Sequence, residues 1–308
     1  MTKDDLRIVF LGTPEFAAYS LNKICDAGYN VVGVVTMPDK VGGRGHKVIH
    51  SAVKTTAIER GLHVMQPEKL KSPEFVDELR ELKADLFIVI AFRMLPEIVW
   101  TMPPLGTFNL HASLLPRYRG AAPINRAVMN GDTETGVTTF FLKHEIDTGD
   151  VISQEKIEIR PSDNVGDIHD RLMELGAELT LKTIDDIVAG EIVRTPQERL
   201  ALDVEPCEAP KIFAEDCLID WNRPAEELRN QVRGLSPYPG ARGHIEGIGD
   251  VKIFEVKVSD KKLSPGEVII DGSNLIVGAG DNRSLEVVSL QAPGKRRMPV
   301  ADFLRGLR

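Results

Sequence analysis

Three polar side chains in the middle of the sequence have the types and spacing that acyl-transfer chemistry requires. Asn109 and His111 lie two residues apart at the end of an apolar run, and Asp147 lies in the turn-forming segment Ile-Asp-Thr-Gly-Asp. Side chains alternate along a strand, so Asn109 and His111 face one side while Leu110 faces the other. An amide and an imidazole donate hydrogen bonds to a developing oxyanion, and a carboxylate favours the charged form of a nearby imidazole. We therefore predict an active site in which no serine or cysteine acts as nucleophile.

Each of these residue types, taken alone, has a simpler structural explanation. An isolated Asn or His more often satisfies a loop than performs catalysis, and Asp and Gly are frequent in turns for conformational reasons. The functional interpretation is favoured by the combination of the three types and by their predicted position. Ligands of an open parallel sheet bind beyond the carboxyl ends of its strands, which is where Asn109 and His111 are expected to lie.

Apolar runs of strand length alternate with helical patterns through the first part of the chain, which predicts an α/β fold with a doubly wound, mostly parallel sheet. The predicted strands are residues 7–12, 31–36, 85–92, 106–111, 136–143 and 150–159. The predicted helices are residues 14–27, 50–61, 72–83, 121–130 and 165–189. Because the strands at the start are apolar throughout, we expect both faces of the sheet to be covered by helices.

The last part of the chain has a different pattern, with one helix at residues 224–235 followed by five short β-type runs. These runs are residues 241–245, 251–258, 267–270, 275–278 and 285–290. Short strands with tight turns predict a small β-barrel. Residues 190–210 are rich in Glu, Pro and Thr without a period, which is typical of an exposed linker. We therefore predict a catalytic domain at 1–189, a linker at 190–210 and a C-terminal β-barrel domain at 211–308.

Composition excludes several classes of protein. The 308 residues are 42% hydrophobic and 27% charged, with no apolar run long enough to cross a bilayer and no recognisable targeting segment, so we expect a soluble, cytoplasmic protein. The net charge of −8 argues against a nucleic-acid coat protein and confines any RNA contact to a local basic surface. Three scattered cysteines give no disulfide framework.

Two patterns that would indicate a dinucleotide or a metal are incomplete. The segment Phe10-Leu-Gly-Thr-Pro-Glu15 has one glycine where a dinucleotide fingerprint needs three. His46 and His50 have the spacing of a zinc-binding helix, but no Glu lies between them and the stretch is rich in glycine. We predict neither NAD nor a metal.

Two short basic segments lie outside the predicted catalytic set. Arg44 and Lys47 belong to a glycine-rich loop, and Lys295, Arg296 and Arg297 are consecutive near the end of the sequence. Most charge runs are simply solvated, but two such segments on different domains are also what binding of one polyanion requires.

Residues 108–125 and 131–150 resemble the methionyl-tRNA formyltransferases, a group within the folate-dependent formyltransferase family. Their sequences are FNLHASLLPRYRGAAPIN and GDTETGVTTFFLKHEIDTGD. The resemblance extends to residues 10–16, 42–47, 84–96, 219–221, 235–241 and 295–298, so it covers nearly the whole chain. By motif, the catalytic Asn, His and Asp of the family fall on Asn109, His111 and Asp147.

The resemblance implies a Rossmann-like formyltransferase domain followed by an oligonucleotide-binding-type barrel. It implies 10-formyltetrahydrofolate as the formyl donor and the methionine of initiator tRNA as the acceptor, with no metal; a monomer is the default expectation. The implied folate-binding residues are Phe92, Arg93, Leu95, Ser113, Leu114, Leu115, Pro116 and Gly120. The implied tRNA-binding residues are Arg44, Lys47, Lys295, Arg296 and Arg297.

Two alternative functions stay open on the sequence. An enzyme of the same fold that formylates a small-molecule amine, or hydrolyses the formyl donor with water, would have the same catalytic residues. The second domain and the two basic segments favour tRNA over such acceptors. A non-catalytic folate- or RNA-binding protein is the other alternative, and the complete catalytic trio argues against it.

Overall fold

The structure is a computed structural model that describes residues 2–42, 47–200 and 207–307. The chain divides into two units: the first is Met1–Gly120, Gly136–Ile157 and Asp170–Glu208, and the second is Ala121–Thr135, Glu158–His169 and Ala209–Arg308. Two segments of the predicted catalytic domain, Ala121–Thr135 and Glu158–His169, therefore group with the C-terminal unit. Periodicity reports local conformation and carries no signal for such an assignment. The domain boundaries given above remain predictions.

The secondary structure alternates between strands and helices up to β10. In chain order the strands are β1 (Arg7–Gly12), β2 (Asn30–Val35), β3 (Lys40–Gly42), β4 (Lys47–Ile49), β5 (Val64–Met65), β6 (Leu86–Ile90), β7 (Thr107–His111), β8 (Arg119–Gly120), β9 (Glu134–Phe141), β10 (Val151–Glu158), β11 (Glu208–Ala209), β12 (Ala241–Ile245), β13 (Gly249–Ser259), β14 (Val268–Asp271), β15 (Asn274–Gly278), β16 (Ser284–Gln291) and β17 (Met298–Pro299). The helices are α1 (Glu15–Asp26), α2 (Ala52–Glu59), α3 (Pro73–Glu81), α4 (Glu97–Trp100), α5 (Pro123–Met129), α6 (Val165–Ala189), α7 (Gln197–Leu200), α8 (Ala225–Gly234) and α9 (Val300–Arg305), with a 3₁₀ helix at Glu215–Cys217.

The seven-stranded sheet has the order β10-β9-β7-β6-β1-β2-β5. The pairs β6–β7, β1–β6, β1–β2 and β2–β5 are parallel, and β7–β9 is antiparallel. The chain thus winds outward from β1 in both directions, which makes the β1–β6 boundary a topological switch point. The predicted doubly wound, mostly parallel sheet is confirmed.

Helices cover both faces of this sheet. Phe75, Val76 and Leu79 of α3 belong to the same apolar cluster as Val9 and Val89 of the sheet. On the other face, Leu110 of β7 lies against α6. Since every residue of β6 is buried, the apolar run that predicted this strand reflects burial on both sides.

The C-terminal unit contains a second sheet with the order β12-β13-β16-β15-β14, and β17 pairs with β16. Its pairs β12–β13, β13–β16, β15–β16 and β14–β15 are antiparallel. Leu228 and Val232 of α8 and Val300 of α9 share its apolar core. The predicted β-rich domain is therefore confirmed, although in the described residues β12 and β14 are not paired, so the barrel is not closed by hydrogen bonds.

Two segments differ from the sequence prediction. Residues flanking the glycine-rich basic loop form a hairpin of β3 and β4, in which Lys40 pairs with Ile49 and Gly42 with Lys47. The predicted exposed linker contains α7, and Gln197 at its start has no exposed surface. The prediction of an exposed linker is wrong at this residue, because hydrogen bonds described below compensate the burial of its polar side chain.

No helix within residues 2–42, 47–200 and 207–307 combines the length and the apolar character needed to cross a membrane.

Candidate active site

Asn109 and His111 lie on the same face of β7, as the alternation of side chains predicts. The ring of His111 contacts Phe140 of β9 edge to face, with 6.5 Å between the ring centroids, and Phe140 is the residue paired with Asn109. Leu110 lies on the opposite face, where a Cβ added to Gly176 of α6 would approach it to 2.8 Å. Packing of Leu110 on α6 therefore fixes which face presents the amide and the imidazole.

The two ring nitrogens of His111 have different surroundings. Nε2 lies 2.8 Å from the carbonyl oxygen of Tyr118. Because a carbonyl oxygen only accepts, Nε2 carries a proton, and Nδ1 is the nitrogen left for chemistry. Nδ1 lies 3.9 Å from Oδ2 of Asp147, beyond direct hydrogen-bonding distance. His111 is 7% exposed, so this gap is a mostly enclosed place suited to a water or a reacting group.

Asp147 lies in the connection between β9 and β10 and adopts a φ of 55°, in the left-handed region. Its Oδ2 accepts a hydrogen bond of 2.9 Å from the backbone N–H of Gly120. Gly149 follows where the chain turns back, and a Cβ there would lie 1.6 Å from the carbonyl oxygen of Phe141, so only glycine fits. The structure thus brings together His111 and Asp147, two members of the predicted catalytic trio.

The loop after β7 is anchored from inside the first unit. Oγ1 of Thr138 donates to the carbonyl oxygen of Ser113 (2.6 Å) and accepts from the N–H of Leu115 (3.1 Å). Nε2 of Gln154 donates to the carbonyl oxygen of Leu115 (2.8 Å). Ser113 is fully buried and Leu115 is 2% exposed, so their side chains offer almost no surface to a ligand. The other predicted folate-binding residues of this loop are partly exposed, namely Leu114, Pro116 and Gly120.

The guanidinium groups of this loop are used within the protein. Arg119 binds the side chain of Gln197, and Arg117 lies 5.0 Å from the ring centroid of Tyr118, which is itself only 3% exposed. The sequence offered two interpretations of the segment, a solvated turn or a grip on an anionic aromatic ligand. The burial of Tyr118 contradicts the interpretation as a solvated turn. Because Arg119 already binds Gln197, its guanidinium is not available to bind an anionic ligand.

The remaining predicted folate-binding residues belong to the segment after β6. Arg93 donates to the backbone carbonyl oxygens of Glu68 (2.8 Å) and Pro67, and its guanidinium lies 5.6 Å from the ring centroid of Phe92. Burial lowers the pKa of Arg93. Leu95 is 7% exposed. A cavity of about 250 Å³ is lined by Leu70, Lys71, Arg93, Met94, Leu95 and Pro96, so the catalytic trio is not part of its wall.

Of the predicted tRNA-binding residues, Arg44 lies outside the described residues, as does His46. The backbone of Lys47 begins β4. In the parts of the chain that the structure describes, no group of three or more His, Cys, Asp and Glu residues is placed to hold a metal ion.

The base of the β3–β4 hairpin is closed by side chains. Asp39, just before β3, accepts from Nζ of Lys54 (2.5 Å) and from Nε2 of Gln66 (2.9 Å), and lies 3.0 Å from Nδ1 of His50, just after β4. These hydrogen bonds hold the pKa of the Asp39 carboxyl well below its usual range, and the bond from Lys54 has the largest effect. The ends of the predicted tRNA-binding loop are therefore held by charge-assisted contacts.

The three C-terminal basic residues do not share one environment. All three are exposed, but only Arg297 has side-chain partners in the described part of the chain. The guanidinium of Arg297 lies 4.7 Å from the ring centroid of Phe254, and its Nε donates to Oγ of Ser289 (3.0 Å). Arg297 therefore also contributes to packing of the second unit, whereas the other two side chains extend into solvent.

Gln197 and Gly149 both hold the turn at Asp147, and neither was predicted from the sequence. Nε2 of Gln197 donates to the carbonyl oxygens of Asp147 and Gly149. A glycine in a turn is unremarkable by sequence, and the segment around Gln197 has no period or motif. No sequence signal marks either residue as part of the site.

Comparison with known proteins agrees with this architecture. Residues 6–184 match the model of the formyl transferase family, and residues 211–308 match that of the formyl transferase C-terminal domain. The chain is 56% identical to methionyl-tRNA formyltransferase of Bacteroides fragilis over 99% of this chain and 96% of that protein. It is 54% identical to the protein of the same name from Bacteroides thetaiotaomicron over 100% of this chain and 98% of that protein.

Among solved structures, an N-formyltransferase from Helicobacter canadensis, in complex with folinic acid and dTDP-3-aminofucose, has a TM-score of 0.69 at 19% identity. The match covers 92% of this chain and 98% of that chain. At this identity the likeness concerns the fold. The family models and the two close relatives decide the assignment: the chain belongs to the formyl transferase family.

Proposed function

We propose that this protein transfers the formyl group of 10-formyltetrahydrofolate to the amino group of the methionine carried by initiator tRNA. The observation that carries the proposal is the environment of His111. Its Nε2 donates to the carbonyl oxygen of Tyr118, and its Nδ1 faces the carboxylate of Asp147. Asn109 lies on the same face of β7, and in the described part of the chain its amide makes no hydrogen bond, so it is available to a substrate.

The reaction forms a bond between the amine nitrogen and the formyl carbon and places negative charge on the formyl oxygen. The amide of Asn109 and a protonated Nδ1 of His111 donate hydrogen bonds to that oxygen. Asp147 stabilises the charged ring and accepts, through a water in the gap, the proton that leaves the amine. As the bond from carbon to the folate nitrogen breaks, that nitrogen takes up the proton and tetrahydrofolate leaves.

The proposed acceptor has two supports. Proteins named methionyl-tRNA formyltransferase are 56% and 54% identical over nearly the whole chain, whereas the N-formyltransferase in complex with dTDP-3-aminofucose is 19% identical. Lys295 and Arg296 are exposed on the C-terminal domain, where positive side chains are free to meet phosphates. Formylation of initiator tRNA is a step of translation, so we propose that the protein acts in the cytoplasm, and a monomer stays the default expectation.

The proposed donor site uses the two segments that follow β6 and β7. Arg93 and Leu95 line the cavity after β6, and Leu114, Pro116 and Gly120 supply partly exposed surface after β7. Gly120 also binds Asp147 through its N–H, so ligand contact with this loop acts directly on the catalytic carboxylate.

The test is to supply purified protein with 10-formyltetrahydrofolate and, separately, methionyl initiator tRNA, methionyl elongator tRNA or buffer. Release of tetrahydrofolate and formyl label on the amino acid are both followed. Formylation restricted to the initiator tRNA is the expected result. Folate turnover in buffer alone would establish a hydrolase instead, and the absence of turnover with every acceptor would contradict the proposed reaction.

A further inference from the structure

Asp147 belongs to a closed ring of hydrogen bonds that includes Gln197, a residue 50 positions away. Nε2 of Gln197 donates to the carbonyl oxygens of Asp147 and Gly149, each at 2.8 Å. Oε1 of Gln197 accepts from Nε (3.0 Å) and Nη2 (2.6 Å) of Arg119. The ring closes through the chain itself, because Gly120, the residue after Arg119, donates its N–H to the carboxylate of Asp147.

The amide of Gln197 has one possible orientation in this setting. Its two N–H groups meet two carbonyl oxygens, and its oxygen meets two guanidinium N–H groups, so every donor and both lone pairs are used. A flipped amide would set N–H against N–H and oxygen against oxygen. Since the residue has no exposed surface, water is not available to replace any of these bonds.

Asp147 needs such support because its backbone is in the left-handed region, with φ 55°. A residue other than glycine has a free-energy cost in that region, which surrounding contacts offset. The glycine at 149 lets the end of the turn lie on the backbone of β9, and Gln197 holds the carbonyl groups at both ends of the segment 147–149.

We infer that Gln197 and Arg119 are positioning residues that hold the carboxylate of Asp147 at the distance from His111 that formyl transfer requires. This inference rests on the proposed function. Gln197 acts on the turn that carries Asp147, and Arg119 orients Gln197. A carboxylate displaced by about 1 Å from its working position lowers the rate on the order of a hundredfold.

The first test is Gln197→Met, which keeps the length of the side chain and removes all four hydrogen bonds. We expect kcat to fall on the order of tenfold to a hundredfold while KM for tRNA stays unchanged, because no tRNA-binding residue belongs to the ring. The matched control is Gln231→Met. Gln231 is 3% exposed and donates to the carbonyl oxygens of Asp216 (3.0 Å) and Leu218 (2.9 Å) in the second unit. The control should lose thermal stability and keep kcat.

The second test is Gln197→Glu, which retains an acceptor for Arg119 and serves also if the Met variant does not fold. An ionised carboxylate has no donor for the two carbonyl groups, whereas a protonated one has one. We expect kcat of this variant, expressed per folded protein and relative to wild type, to rise as the pH is lowered.

Wild-type kcat in folded Gln197→Met, an equal loss of kcat in both Met variants, or a pH-independent ratio for Gln197→Glu would each overturn the inference. Wild-type protein that transfers no formyl group would instead contradict the proposed function, so the two failures are distinguishable.

Discussion

Nε2 of His111 donates a hydrogen bond of 2.8 Å to the carbonyl oxygen of Tyr118, seven residues further along the chain. Tyr118 is 3% exposed and has a φ of 62°, so the loop after β7 turns back on the strand that it leaves. The carbonyl group selects the tautomer of the ring and fixes the direction of Nδ1 toward Asp147. The imidazole is therefore held in place before any substrate arrives.

The first prediction concerns the donors to the oxyanion. His111→Ala and Asn109→Ala should each lower kcat on the order of a hundredfold or more, because each removes one donor from the developing charge. Binding of folate should be retained, since neither side chain belongs to the cavity after β6. Steady-state kinetics and equilibrium folate binding are the measurements. Retention of wild-type kcat in either variant would contradict the assignment.

Asp147→Asn separates the charge of this side chain from its structural role. The amide oxygen still accepts from the N–H of Gly120, so the turn and the thermal stability should be close to those of wild type. The amide neither stabilises a charged imidazole nor accepts a proton, so we expect kcat to fall on the order of a hundredfold. Comparison of kcat with the melting temperature checks this. A parallel loss of stability would show that the carboxylate serves the fold instead.

Strand β7 and the face that it presents were predictable because two local rules decide them. An apolar run buried on both sides identifies the strand, and the two-residue period places Asn109 and His111 opposite Leu110. The doubly wound sheet follows in the same way from the alternation of runs such as β6 with helical patterns. Local periodicity was sufficient for these features.

The supports of the site were not predictable, because they depend on contacts between distant segments. Gln197 lies in a stretch without a period, and only the path of the chain brings it to the turn at Asp147. The tautomer of His111 likewise depends on the backbone of Tyr118, which no side-chain pattern reports. Hydrogen bonds to backbone carbonyl groups leave almost no trace in residue types.

The C-terminal basic residues should differ in what their removal does. Lys295→Ala and Arg296→Ala should each raise KM for tRNA and should make the slope of log affinity against log salt concentration shallower by about one. Neither variant should lose stability, because both side chains are exposed. Arg297→Ala should in addition lower the melting temperature, because its guanidinium packs on Phe254 and binds Ser289. Formylation kinetics at several salt concentrations and thermal unfolding distinguish these effects. A salt slope unchanged in the first two variants would show that they are ordinary surface residues.

The contacts of Asp39 predict a dependence of stability on pH. The pKa of this carboxyl is lowered in the folded state, chiefly by the hydrogen bond from Lys54. Its stabilising contribution is therefore present above its unfolded pKa of about 3.9 and is lost as the pH falls further, toward the folded value. Asp39→Asn should be less stable than wild type at neutral pH, and the difference should narrow below about pH 4. Thermal unfolding of both proteins over this range is the measurement, and a difference that stays constant with pH would contradict the explanation.

The buried hydroxyl of Thr138 allows a test of the loop that is predicted to bind folate. Its Oγ1 binds the backbone of Ser113 and Leu115 and also accepts from Gln154 (2.9 Å), so Thr138→Val leaves these buried groups without their partner at nearly unchanged volume. Each such loss costs about 1–3 kcal/mol of unfolding free energy.

If residues 113–116 contact folate, the variant should raise KM for 10-formyltetrahydrofolate more than KM for tRNA. Thr183→Val is a matched control, because that buried hydroxyl bonds to Thr139 on the α6 side of the sheet (2.8 Å) and should affect stability without changing KM for folate. An equal change of both KM values in Thr138→Val would indicate that this loop does not contribute to the donor site.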